Sequence, residues 1–76
     1  MWNEANGYLT RDFSFASFRD AFAFMTRVAF IAEELNHHPE WSNVYNKVSI
    51  ALTTHDKGNT VTAVDRDFAK AVDLLV

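Results

Sequence analysis

Seventy-six residues with two glycines, one proline and no cysteine leave room for one small domain that neither disulfides nor thiolate metal sites can staple. A net charge of −3, a pI near 5.4 and seven scattered Lys and Arg give no basic footprint, which argues against direct nucleic-acid binding. No apolar run approaches the roughly 20 residues that cross a bilayer, and the start MWNEANGYLTRD has neither the basic nor the apolar part of a signal peptide, so no membrane association and a cytosolic or nuclear compartment are expected.

Trp2 to Glu4 and Tyr8 to Phe15 read as two short strands around an Asn6-Gly7 turn, with Leu9, Arg11, Phe13 and Phe15 on one side and Thr10, Asp12 and Ser14 on the other. Ser17 followed by Asp20 reads as an N-cap with an acidic first turn, after which Phe18, Ala21, Phe22, Met25, Val28, Ala29, Ala32 and Leu35 recur at helical spacing. Phe24 and Ile31 lie beside that stripe and widen it, predicting a helix that packs on its own sheet and on a neighbouring subunit. Asn36 and Pro39 end the helix.

From Trp41 to Thr54 the chain is rich in β-branched and aromatic residues, with Val44, Val48, Ile50 and Leu52 sharing one parity, which predicts two strands with a turn near Asn46-Lys47. A loop from His55 to Val61 contains Asp56, Gly58 and Asn59, and Thr62-Ala-Val-Asp65 then resembles a capping box opening a last helix. Val64, Phe68, Ala71, Val72 and Leu75 mark its buried face. The order ββαββα predicts an α+β fold in one domain over residues 1–76, a four-stranded antiparallel sheet with the helices packed on one face. A domain of this length buries only about 60% of the surface its unfolded chain exposes. With 49% hydrophobic and 14% aromatic residues, including seven Phe, the chain has more apolar surface than one small core hides, so a homodimer or homotetramer is expected.

All three histidines fall at element ends: His37 and His38 after the long helix, His55 after the last strand. An imidazole titrates near pH 6.5 and can both give and take a proton near neutrality. A cationic histidine at a helix C-terminus is also explained by the helix dipole alone, and that structural role is the simpler reading of any one of them. Three imidazoles with Glu33 or Glu34 could ligate a metal, but adjacent histidines on a turn diverge and no HExxH or CxxC frame is present. Trp41 and Tyr45 could wall a flat heterocycle or simply pack, and Asp65 is accounted for by its capping box.

The run Glu33-Glu-Leu-Asn-His37-His38-Pro39-Glu40-Trp41, continued by Asn43-Val-Tyr-Asn-Lys-Val48 and Thr54-His55-Asp56, resembles the signature of the pterin-4a-carbinolamine dehydratases. In that family an acidic residue stands four before a His-His-Pro turn, an aromatic follows, a later histidine closes a strand and an aspartate starts the last helix. Those places are held here by Glu33, His37, His38, Pro39, Trp41, His55 and Asp65. Phe18-Arg-Asp-Ala-Phe-Ala-Phe-Met-Thr-Arg-Val-Ala29 is similar to the family's long helix, and the likeness runs from about Phe13 to Leu74.

The resemblance implies a dehydratase that turns a 4a-hydroxytetrahydropterin into quinonoid dihydropterin and water. Its implied catalytic set is His37, His38 and His55, with Glu33, Trp41 and Asp65 shaping and orienting the substrate site and no cofactor or metal required. His37 and His55 would carry the two proton transfers and His38 would hold the hydroxyl. Typical members place a helix before the tryptophan of the first strand, near which this sequence starts. The loop from His55 to Thr62 is one residue longer than usual, with Asn59 where a second glycine is common. Animal members also act as dimerisation cofactors of a homeodomain transcription factor, so the competing implication is a protein-interaction module with such a partner.

Overall fold

A computed structural model describes all 76 residues. Strands β1 (Asn3–Ala5) and β2 (Tyr8–Ser14) are followed by helix α1 (Phe18–Leu35), strands β3 (Glu40–Val44) and β4 (Lys47–Leu52), a single 3-10 turn (His55–Lys57) and helix α2 (Ala63–Asp73). The strands form one antiparallel sheet in the order β1-β2-β4-β3, and both helices pack on one face, the α+β architecture that the element order predicts.

Register explains which face is covered. Leu9 pairs with Leu52, Arg11 with Ile50 and Phe13 with Val48, which puts the large apolar side chains of the two central strands under the helices. The intervening residues Thr10, Asp12, Ser49 and Ala51, with Glu40 and Ser42 of β3, lie on the opposite face. A groove of about 320 Å³ runs across that face. The Asn6-Gly7 turn has positive φ at both residues, 54° and 84°, the geometry that matches a two-residue turn to strand twist.

Two details depart from the sequence pattern. The face of α1 that meets the sheet is Ala21, Phe24, Val28 and Ala32, whereas Phe18 and Phe22, assigned to the buried stripe, are 48% and 55% exposed. Apolar residues cover more than one side of this helix, so spacing alone leaves its rotation open. The aromatic rings of Phe13 and Phe15, 4.8 and 4.9 Å from that of Phe24, settle it. Parity groups Val44 with Val48, Ile50 and Leu52, yet Val44 is 73% exposed. The turn is at Tyr45-Asn46, so Val44 pairs with Lys47 and Asn43 with Val48, and counting parity straight through a two-residue turn assigns the wrong face.

Helix ends place the candidate site. Ser17 caps α1 by accepting from the Asp20 N–H at 3.1 Å. At the other end Asn36 adopts the left-handed conformation at φ 48°, and the His37 N–H returns to the Ala32 carbonyl at 3.0 Å, a Schellman-type stop. The chain is thereby folded back at Asn36, and the next two residues leave in different directions. At the start of α2 the capping box holds, with the Thr62 N–H donating to Asp65 Oδ2 at 2.9 Å.

Candidate active site

The end of α1, the start of α2 and the segment after β4 come together around one carboxylate. Asp65 is fully buried, and both of its oxygens are used. Oδ2 accepts from the Thr62 N–H at 2.9 Å and from the Thr54 hydroxyl at 2.7 Å, while Oδ1 lies 2.5 Å from His37 Nε2. Burial alone would raise the Asp65 pKa. The hydrogen bonds from Thr62, Thr54 and His37, together with the charge of His37, outweigh that and hold it below the ordinary carboxylate value. Asp65 is therefore the ionised partner, and an ionised carboxylate only accepts, so His37 Nε2 carries a proton. No protein hydrogen bond engages His37 Nδ1, which is left as the atom able to take or give a proton. The ring, with its side chain 14% exposed, stands edge-on to Phe68 at 6.3 Å.

His38 has a different setting from its neighbour. Its Nε2 meets Glu33 Oε2, in the last turn of α1 five residues back, at 2.7 Å, with both side chains well exposed. With an ionised Glu33, that contact makes Nε2 the donor. His55 is held the other way round, with Nδ1 2.9 Å from the side-chain oxygen of Asn59. An amide oxygen only accepts, so Nδ1 carries a proton, and Nε2, which lies 3.4 Å from Glu40 Oε2, pairs with that carboxylate only when it carries one too. The same carboxylate oxygen accepts from the Tyr8 hydroxyl at 3.2 Å.

Of the residues singled out from sequence, His37 is thus joined to Asp65 and His38 to Glu33, and His55 follows Thr54, which binds Asp65. No hydrogen bond joins one histidine to another. Trp41 stands apart from these pairs: its indole lines a small apolar cleft of about 190 Å³ with Phe22, Met25, Thr26 and Ala29 of α1, as well as the sheet groove. The sequence analysis gave no site role to Thr54, Asn59, Tyr8 or Glu40. Glu40 and Thr54 carried a signal, their places inside the His-His-Pro-Glu-Trp and Thr-His-Asp runs, and Asn59 stood out only in the loop comparison. Asn59 sits at φ 57°, a left-handed position that asparagine tolerates better than most residues. No three His, Asp or Glu side chains cluster in a way that could hold a metal ion, and no helix is long and apolar enough to cross a membrane.

Residues 1–75 match the family model described as pterin 4 alpha carbinolamine dehydratase. A relative from Prochlorococcus marinus, provisionally named pterin-4-alpha-carbinolamine dehydratase, is 50% identical over 74 residues, covering 97% of this chain and 76% of the relative. A crystal structure described as a transcriptional coactivator/pterin dehydratase from Brucella melitensis is similar with a TM-score of 0.90 at 43% identity, over 96% of this chain and 79% of that one. A second solved structure, described as a pterin dehydratase-like protein identified as a RuBisCO assembly factor in the alpha-carboxysome, has a TM-score of 0.79 at 26% identity over 99% of this chain and 86% of that one.

Proposed function

We propose that this chain, which belongs to the pterin-4a-carbinolamine dehydratase family, removes water from a 4a-hydroxytetrahydropterin to give the quinonoid dihydropterin, a step of tetrahydrobiopterin recycling. The observation that carries the proposal is His37, wired through Nε2 to a buried ionised carboxylate with Nδ1 unbonded. That arrangement stabilises the imidazolium formed when Nδ1 takes a proton, and it fixes the tautomer able to do so.

The chemistry needs one acid and one base. His55, in its protonated form, gives the Nε2 proton to the 4a-hydroxyl, and the C4a–O electron pair leaves with the oxygen as water. The N5 lone pair closes the N5–C4a double bond, and His37 Nδ1 takes the N5 proton. Proton count and charge balance without a redox step. His38, exposed and held by Glu33, binds the departing hydroxyl, and Trp41 offers an apolar face at the edge of the sheet. The test is turnover of a 4a-hydroxytetrahydropterin by the purified protein with and without chelator. Unaffected catalysis supports the proposal, and activity lost to chelator and restored by zinc refutes the histidine-only scheme.

Exposed aromatics favour a second, compatible reading. Phe18, Phe22 and Phe30 of α1 are 48%, 55% and 66% exposed, and the Phe18 and Phe22 rings lie 5.8 Å apart, so aromatic surface of this helix faces outward. Self-association into a dimer or tetramer is the occupant we infer for it. The alternative occupant is a different protein, as the coactivator and assembly-factor descriptions of the two structural neighbours suggest. A protein that binds such a partner yet leaves carbinolamine untouched would favour an interaction module over an enzyme.

A further inference from the structure

Two separate contacts converge on the loop that carries His55, and both start from the turn between β1 and β2. Gly7 lies so close to that loop that a Cβ built on it would stand 1.9 Å from the Asn59 carbonyl oxygen. Its own carbonyl accepts from the Thr53 hydroxyl at 2.7 Å, two residues before His55. One residue further, Tyr8 donates to Glu40 Oε2 at 3.2 Å, and that oxygen faces His55 Nε2 at 3.4 Å. The imidazole is addressed at both nitrogens, and each route leads back to the turn. Nδ1 goes through Asn59 to Gly7, and Nε2 goes through Glu40 to Tyr8.

We propose that Gly7, in the first turn, and Tyr8, the first residue of β2, position His55, with Gly7 seating the loop and Tyr8, through Glu40, orienting the ring. A single exposed ion pair is worth about 0–1 kcal/mol and would not hold a side chain that is 62% exposed in one orientation. The second tether at Nδ1 and the phenol on the carboxylate turn a weak pair into a network with one satisfied arrangement. Partial burial, then the charge and hydrogen bond of Glu40, push the Tyr8 phenol above its ordinary value, so it remains a donor at neutral and mildly alkaline pH. In sequence this role is invisible, because 47 residues separate Tyr8 from His55.

The kinetic consequence rests on the dehydratase reading, so the test has an arm that does not. Side-chain ¹⁵N NMR of the wild-type protein should show His55 Nδ1 protonated. Tyr8→Phe removes one oxygen and should hold its melting temperature within about 4 °C. It should nevertheless change the His55 nitrogen shifts, Nε2 above all, as should Glu40→Gln. Under the dehydratase reading kcat should fall by roughly 3- to 10-fold with KM little changed, a fraction of the ~10²-fold that a 1 Å misplacement can cost. Gly7→Ala, which displaces the loop itself, should approach that larger loss. Unchanged His55 shifts in both Tyr8→Phe and Glu40→Gln overturn the proposal, as do moved shifts with unchanged kcat. If the wild-type protein turns over no carbinolamine, the nitrogen shifts still decide the positioning role, and only the dehydratase reading fails.

Discussion

Replacing Asp65 by asparagine changes one atom and separates the two jobs of this carboxylate. One oxygen caps α2 and binds Thr54, and the other holds His37. Both contacts on the capping oxygen are donated to it, so the amide oxygen must stay there and the amide nitrogen must face His37 Nε2. That nitrogen donates, and His37 Nε2 now donates as well, so one of two things follows. Either a buried donor is left unpaired, which costs about 1–3 kcal/mol, or the imidazole proton moves to Nδ1 and the wrong nitrogen carries the lone pair. The first outcome should lower the melting temperature by about 4–8 °C per kcal/mol in a domain of this size. The second removes the base, and losing a positioned base costs roughly 10²- to 10⁴-fold in rate. The assay is initial-rate kinetics on a carbinolamine generated in situ, run beside a thermal melt at the same pH. We expect kcat to fall at least 10²-fold with KM within a few-fold. A kcat within twofold of wild type, in a folded Asp65→Asn protein, would refute the reasoning that His37 works through its carboxylate.

Three further outcomes follow from the same geometry. Asp65 titrates below its unfolded value of about 4 when folded, so the stability it contributes is complete above that pH and is lost as the pH falls through the folded value. Urea midpoints measured from pH 6 down to pH 2 should drop across that limb, and Asp65→Asn should flatten it. His38→Ala removes an exposed ring paired only with an exposed Glu33, so it should leave the melting temperature nearly unchanged and raise KM more than it lowers kcat. Phe22→Asp puts a charge in the exposed aromatic face of α1, and light scattering at micromolar concentration should show the assembly dissociating while the far-UV spectrum stays native. A wild-type protein that is already monomeric there would remove that inference.

The elements were legible because each carries its own punctuation. Asn6-Gly7 announces the first hairpin, Ser17 and Asp20 open the long helix, and Thr62 with Asp65 opens the last. What failed to read was rotation and facing. Phe24 and Phe22 are equally apolar, and only tertiary contact with Phe13 and Phe15 decides which goes inside. The candidate site was legible as residue types at element ends, and as far as His37, His38, His55, Glu33 and Asp65 it was legible through family likeness. Its wiring was not. That Asp65 serves the cap with one oxygen and His37 with the other depends on α1 stopping at Asn36 beside the start of α2, and no local pattern encodes that meeting.

His37 and His38 show why wiring matters more than residue type. They are consecutive, share the same intrinsic acidity and both donate Nε2 to a carboxylate, at 2.5 and 2.7 Å. The partner of His37 is 0% exposed and pinned by Thr62 and Thr54, whereas the partner of His38 is 78% exposed and has no other bond. Water competes for Glu33 and screens its charge, so that pair adds little to the strength or orientation of the His38 ring. Around Asp65 water is excluded, the carboxylate cannot reorient, and the field at His37 is both stronger and fixed. A proton arriving at His37 Nδ1 is therefore met by a preorganised counter-charge. One arriving at His38 is met mostly by solvent. On the proposed dehydratase reading, that difference between the two carboxylates, rather than residue type, suits His37 to proton transfer and His38 to substrate contact.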